Sequence, residues 1–317
     1  MTAPPRRLES PAALRLATSR WQAAGLSVGL VPTMGALHAG HRSLLRRARV
    51  ECDRVVATIF VNPAQFRPGE DLERYPRPLE EDLGVCAAEG VDAVLVPAPE
   101  TVYPPGFATT VAVTGDLAER WEGPARPGHL AGVALVVAKL LVAARADRAY
   151  FGDKDAQQCA VVRRLAADLD TGTEIVACPV VRDHDGLALS SRNRYLDPGE
   201  RDAALAIPAA LALGAAMVGE GCTRSAQVLA AMRALLEEAG LDVDYVAVVD
   251  PGSLEPLDDV DAGARFLVAA RIGTTRLIDT LRPGLDEPPV VPARNAAAPA
   301  GKSAAGGRRS DPCSASS

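Results

Sequence analysis

The chain of 317 residues is short of several things, and each shortage narrows its chemistry. It has no uninterrupted apolar run of 18 residues, so no membrane-spanning helix is predicted and no membrane partner is expected. Arg6 and Arg7 sit near the N-terminus, but no apolar stretch follows them, which does not fit a secretory signal. The six cysteines form no CxxC pair, and the four histidines are too dispersed to complete a zinc site with them. Scattered thiols without a signal segment are the pattern of a reduced, cytoplasmic protein. Aromatic residues make up only 4% of the chain and the net charge is −6, so neither stacking side chains nor a basic face for nucleic acid is expected. Arg42, Arg46, Arg47 and Arg49 do share one predicted helix, and they are read as a solvated face.

What is present is a globular composition, 48% hydrophobic and 23% charged, long enough for two cores. Residues 26–32, 54–61, 93–96, 146–151 and 173–181 are apolar runs that read as buried strands. Helical patterns over 40–50, 79–89, 132–144 and 155–169 alternate with them. That alternation predicts an α/β fold: a Rossmann-like parallel sheet domain over residues 1–181, binding ligands at the carboxyl ends of its strands. Residues 182–287 predict a smaller C-terminal α+β domain lying over the site as a lid. It has helices near 199–218 and 225–239 and antiparallel runs at 242–249, 265–271 and 275–279. Residues 288–317, rich in Pro, Ala, Gly and Ser, read as a disordered tail.

The first strand runs into Pro32-Thr33-Met34-Gly35-Ala36-Leu37-His38-Ala39-Gly40-His41. Gly35 permits a tight turn, and Gly40 permits a close approach at the start of the next helix. Orphan amides and the helix dipole favour an anion there. His38 and His41, three residues apart, can face that anion as imidazolium groups and neutralise charge on a phosphate during displacement.

His38-Ala39-Gly40-His41 resembles the HxGH signature of the nucleotidyltransferase superfamily shared with class I aminoacyl-tRNA synthetases. The longer run 32–41, with four further blocks in order, is similar to the pantothenate synthetase (pantoate–β-alanine ligase) family, and the likeness covers roughly residues 8–285. The blocks are 59–66 around Asn62 and Gln65, 126–133 around Arg126 and His129, 150–158 around Lys154, and 189–196 with Ser190-Ser191-Arg192. Departures from the family pattern are Ala64 for Met, which loosens a pocket wall, Leu130 for Phe, Asp153 for Glu and Leu189 for Met.

The resemblance implies ATP-dependent activation of pantoate as a pantoyl adenylate, followed by attack of β-alanine. It assigns catalysis to His41 first, with His38, Lys154 and Arg192. It assigns ATP to Met34, Gly35, Ala36, Leu37, His38, Ala39, Gly40, His41, Gly152, Asp153, Lys154, Asp155, Val181, Leu189, Ser190, Ser191 and Arg192. Gln65 and Gln158 would hold pantoate, and Gln65 also β-alanine. Arg126 and His129 would reach the ATP phosphates. The family uses Mg2+; Asp82 and Glu81 stay open between a metal contact and the acidic start of a helix, while Glu80 is assigned to the latter. Residues 120–128 are a candidate lid, and a homodimer is implied. The alternative is another HxGH nucleotidyltransferase acting on a small phosphorylated acceptor, which would not need Gln65 and Gln158. A regulatory nucleotide-binding protein is a third class, disfavoured by the retained His38, His41, Lys154 and Arg192.

Overall fold

The computed structural model describes residues 4–290, so nearly all of the segment read as a tail lies outside the described residues. The first domain contains β1 (Arg6–Leu8), α1 (Pro11–Ala23), β2 (Val28–Thr33), α2 (Ala39–Glu51), β3 (Arg54–Ile59), α3 (Leu79–Ala88) and β4 (Ala93–Leu95). Three one-turn helices follow: α4 (Pro99–Val102), α5 (Asp116–Glu119) and α6 (Glu122–Ala125). Then come α7 (His129–Ala144), β5 (Arg148–Gly152), α8 (Ala156–Asp168) and β6 (Glu174–Cys178). The strands form one parallel sheet in the order β1-β4-β3-β2-β5-β6. The order reverses direction between β2 and β5, which opens a crevice beyond their carboxyl ends.

Strand periodicity decides which helix covers which face. Leu30 and Val56 pack into a core with α1 and α7, whereas Val31, Val55 and Ala57 pack beneath Leu44, Leu45 and Ala48 of α2. Residues such as Leu30 and Leu45 are fully buried, each worth about 1.5–3 kcal/mol against exposure. Helix α7 is buried along most of its length, as its apolar sequence predicts. The sequence reading missed β1 and α1. Three residues of β1, only one of them buried, carry too little pattern to be read locally; pairing with β4 makes the strand.

The second domain comprises α9 (Pro198–Ala204), α10 (Ala206–Gly219), α11 (Ser225–Glu238), β7 (Asp242–Val249), β8 (Arg265–Ile272) and β9 (Thr275–Leu281). The predicted single helix at 199–218 is two helices that meet at Leu205. The stretch Pro198–Gly219 is long and apolar enough, by composition, to cross a membrane. Its Ile207 and Leu211 are instead buried with Met232 and Phe266 in the core of this domain. The antiparallel sheet β7-β8-β9 meets the first domain through a small apolar cluster that joins Ala156 and Ala160 to Ala247, Val249 and Leu267.

Buried ion pairs reinforce that joint. Arg276 of β9 holds Glu122 of α6 at 2.6 Å, with both side chains about one-tenth exposed, and Tyr245 donates to the same carboxylate at 2.6 Å. Burial pushes the Glu122 carboxyl up, but the hydrogen bond and charge of Arg276 win and hold it below its usual range. Trp121 donates to the Leu254 carbonyl, and the buried Gln157 takes hold of Leu117, Arg120 and Glu122 backbone groups. The segment 120–128, expected to be a lid, is therefore pinned to both domains.

Candidate active site

The crevice holds a cavity of about 220 Å³ between the carboxyl ends of β2, β3, β5 and β6. Met34, His38, Gly40 and His41 form one wall. Lys154, Asp155, Ser190, Ser191 and Arg192 face it, with Gly152, Val181 and Leu189 between. Gln65 and Gln158 lie in the same cavity, so the motif blocks converge although they are spread over residues 34–192 of the sequence.

The histidine wall is built on backbone amides. His38 is the N-cap of α2, and its Nδ1 accepts from the Gly40 amide at 3.2 Å. His41 closes the capping box, its Nδ1 accepting from the His38 amide at 3.3 Å. A Cβ on Gly40 would lie 2.9 Å from the His38 ring, so glycine is required for that packing. Upstream, the amides of Ala36 and Leu37 both donate to Asp82, at 2.9 and 2.7 Å. Gly35 has a φ of +85°, and a Cβ there would meet the Asp82 carboxylate at 2.9 Å.

Three expectations change as a result. Four of the loop amides expected to bind an anion are already taken, by Asp82 and by the two imidazoles. The ring charge is also different from that expected. Burial lowers the His38 pKa to about 4 and the His41 pKa to about 3, and Lys154 pushes both in the same direction. Near neutral pH both rings are neutral, and with Nδ1 accepting, each carries its proton on Nε2. They are hydrogen-bond donors, not imidazolium ions. Finally, Asp82 was a candidate for Mg2+, but its carboxylate is buried and fixes the loop; Glu81 beside it is exposed. Among the described residues no group of three or more His, Cys, Asp or Glu side chains converges to hold a metal.

Gln65 is fixed from below. Asn62 donates through Nδ2 to Gln65 Oε1 and to the Gly132 carbonyl, both at 3.1 Å, and its Oδ1 accepts from the Ala64 amide and from Tyr103. Asn62 is thus fully engaged as a strut. Helix α7 approaches so closely that a Cβ on Gly132 would lie 2.1 Å from the Ala64 carbonyl oxygen. The Ala64 side chain is exposed and outside the cavity, so the Met-to-Ala departure does not loosen a wall. Leu130 is buried, in keeping with a packing role.

The opposite wall is built on side-chain ion pairs. Glu70 grips Arg126 with both oxygens, at 3.3 and 2.8 Å, and Asp71 grips Arg192 the same way, at 3.0 and 2.9 Å. Tyr75 and Ser191 share a hydrogen bond of 2.9 Å. His129 lies between Arg126, 2.9 Å from its Nε2, and the Gln65 carbonyl, 2.9 Å from its Nδ1. Burial, aided by Arg126, lowers its pKa to about 4. Arg126 and His129 do line the cavity, and they hold Glu70 and the Gln65 carbonyl.

Several residues assigned to ATP stand behind the surface. Gly35, Ala36, Leu37 and Ala39 do not line the cavity; they shape the loop that does. Asp153 turns away altogether: it is buried and bonded to Arg265 at 3.0 Å, with Arg282 at 3.8 Å. Glu70, Asp71, Tyr75 and Gln157 were missed. Their one sequence signal is the adjacent acidic pair Glu70-Asp71 following a motif block, in a chain whose part-buried Arg126 and Arg192 call for counter-charges.

Known proteins share this fold and much of this sequence. The sequence model described as Pantoate-beta-alanine ligase matches residues 6–282. The pantothenate synthetase of Rhizorhabdus wittichii is 52% identical over 269 residues, covering 84% of this chain and 95% of its own. A crystal structure of pantothenate synthetase from Thermus thermophilus superposes with a TM-score of 0.84 at 48% identity, covering 88% of this chain and 99% of its own. The pantoate-β-alanine ligase of Francisella tularensis, complexed with beta-gamma ATP and β-alanine, gives 0.73 at 30% identity, covering 88% and 98%. With motif blocks, fold and relatives in agreement over nearly the whole described chain, this protein belongs to the pantoate–β-alanine ligase family.

Proposed function

We propose that this cleft carries out both half-reactions of pantothenate formation, with the two walls handling ATP and the glutamines handling the acid. The chain is an ATP-dependent ligase that condenses pantoate with β-alanine to pantothenate, AMP and pyrophosphate. In the first step a pantoate carboxylate oxygen attacks the α-phosphorus, and the bond to the pyrophosphate oxygen breaks. In the second the β-alanine amine attacks the acyl carbon of the pantoyl adenylate, and AMP leaves.

The observation that carries this division is the shared cavity: Gln65 and Gln158 open into the same space as His38, His41, Lys154 and Ser190 to Arg192. Gln65 uses Oε1 on Asn62 and aims Nε2 toward Met34, with a second amide proton left for pantoate and later for β-alanine. His41 and His38 donate Nε2–H to oxygens on the α-phosphorus. A preorganised donor of this kind is worth about 10²–10³ in rate. Lys154, together with Ser190, Ser191 and Arg192, takes the β- and γ-phosphates. Glu70 and Asp71 occupy the positions that phosphate oxygens take on the two guanidiniums, and they withdraw when ATP binds.

Mg2+ enters with ATP as part of the substrate. The described residues offer it no protein cage, and a triphosphate with waters and one or two carboxylates suffices. Asp155, in the cavity and 4.0 Å from Lys154, is the carboxylate placed to meet it. We place the enzyme in the cytoplasm, where the five described cysteines, all free, stay reduced. We also assign it a homodimer, for which exposed Leu16 on α1 and Val142 on α7 supply apolar surface.

The test is ATP–pyrophosphate exchange with pantoate present and β-alanine absent. Exchange that depends on pantoate is expected; exchange with another acid only would overturn the assignment.

A further inference from the structure

A second cavity, of about 330 Å³, lies between the two domains on the far side of Lys154 and Arg192. It shares Arg126, Lys154, Asp155, Ser190 and Arg192 with the first cavity, so one partition separates two spaces. None of the acid-binding side chains reaches it: Gln65 and Gln158 are absent from its walls. Its outer walls come from the 69–74 loop and from the β8–β9 hairpin around Thr274 and Thr275.

Six cationic side chains line this chamber, more than in the cavity where the reaction is assigned. Four acidic ones, Glu70, Asp71, Glu122 and Asp155, line it too. Pairing accounts for most of the charge. Glu70 holds Arg126, Asp71 holds Arg192, and Arg276 is shared between Glu122 and Asp244. Lys154 stands 4.0 Å from Asp155 at the partition. Two guanidiniums farther out are held loosely. Arg74 stacks over the Tyr195 ring at 5.9 Å. Arg271 is 41% exposed and reaches only 3.6 Å from Asp244, whose other oxygen Arg276 binds at 2.5 Å.

The chemistry of the first step fits this gradient. Bond cleavage releases a multiply charged pyrophosphate at the partition, next to Ser190 and Arg192. Its way past the glutamine side would cross the acid-binding pocket and the apolar residues Val133, Val136 and Val137 behind it. The interdomain side instead presents guanidiniums that a dianionic phosphate group can bridge bidentately. We propose that the interdomain chamber is the departure site of the leaving pyrophosphate, with Arg74 and Arg271 as its outer anion-holding residues. The inference rests on the adenylylation reading above. It separates product exit from acid entry, so pyrophosphate can clear the partition while the adenylate stays covered.

The test uses the full-length enzyme and the variants Arg74→Gln, Arg271→Gln and the double variant. Both residues are outside the set assigned to binding or catalysis, and neither is buried. Inorganic pyrophosphate is measured as a product inhibitor of the complete reaction, and its direct binding is measured by calorimetry without ATP or pantoate. Each single variant is expected to raise the pyrophosphate inhibition constant about fivefold, and the double variant at least tenfold, with the KM values for pantoate and β-alanine unchanged. Arg233→Gln, on the exposed face of α11, controls for net charge and is expected to change nothing. An unchanged constant in the double variant, or an equal rise in the Arg233 control, overturns the proposal. Pantoate-dependent exchange in the wild type is scored separately. Its absence sinks the adenylylation reading even if pyrophosphate binds in the chamber. Its presence with an unmoved inhibition constant sinks the chamber alone.

Discussion

The two walls of the cleft are held in place by different means. Residues 34–41 are tied to backbone amides: Asp82 to Ala36 and Leu37, His41 to His38, and His38 to Gly40. Arg126 and Arg192, across the cavity, are tied to carboxylates of a neighbouring loop. These amides are buried or part-buried, so water competes little for them and the first wall is held in one geometry. An ion pair with a carboxylate can be exchanged for one with a phosphate, so the second wall answers to ligand and to salt. On the assignment proposed above, preorganised donors meet the reacting α-phosphorus and exchangeable cations capture and release the triphosphate.

The largest test of this contrast is His41→Ala. It removes a donor and the amide acceptor for His38 together. Pantoate-dependent ATP–pyrophosphate exchange is expected to fall about 10²–10³-fold, with the far-ultraviolet dichroism and cooperative melting retained. A smaller fall, under threefold, would take His41 out of the first step. Next is Asp82→Ala, which leaves the buried Ala36 amide and the part-buried Leu37 amide without an acceptor. The cost is about 1–3 kcal/mol, read as a lowered denaturation midpoint, with exchange reduced because the loop loses its anchor. If Asp82 acted through a metal instead, stability would hold while the magnesium dependence of the rate shifted.

Acid should affect the first wall later than ordinary histidines would suggest. The folded-state pKa values of His38 and His41 lie below 6.5, so folding favours the neutral rings. Their contribution to stability is complete above pH 6.5. It drains as pH falls from there, because the unfolded chain takes up protons that the folded one refuses until about pH 4 to 3. The imidazole resonances of His38 and His41 are expected to stay unchanged from pH 8 to well below 6.5, and a titration of either near 6.5 would contradict neutral, amide-bound rings. The smallest effect expected is that of Asp71→Asn. Freed of its carboxylate partner, Arg192 should bind ATP more readily, lowering the KM for ATP a fewfold at low ionic strength and less at high salt. A raised KM would mean that Asp71 orients Arg192 rather than competing with its ligand.

Most of the sheet was legible because buried parallel strands are continuous apolar runs bounded by helical periodicity, and 28–33, 54–59 and 148–152 all read that way. The short strand at Arg6–Leu8 was not, since its existence depends on a partner 87 residues away. In the site, His38 and His41 stand out in the glycine-punctuated joint after a strand, while Gln65, Lys154 and Ser190 to Arg192 are marked by the resemblance of their blocks to the family's. The charge state of the histidines was not, because it is set by burial and by Lys154, more than 110 residues along the chain. Asp153 illustrates the limit in the other direction. It lies inside a motif block, yet the second domain's Arg265 claims its carboxylate, a pairing that no local pattern reveals. Asp82 was noticed as an acid, but its role became visible only once helix α3 was seen to aim it at the loop of β2.

The capping box at the start of α2 has one further consequence. The hydrogen bonds that cap the helix are made by the same imidazole rings to which the chemistry is assigned above, so the first turn and the histidine wall cannot come apart. A molecule in which the first turn of α2 frays has lost both ring orientations at once. Local opening of a single turn is then equivalent to loss of the whole histidine wall, with no form that keeps one ring placed without the other. Deuterium uptake at the His38 and Gly40 amides would count, molecule by molecule, the fraction of the population that is ready to react.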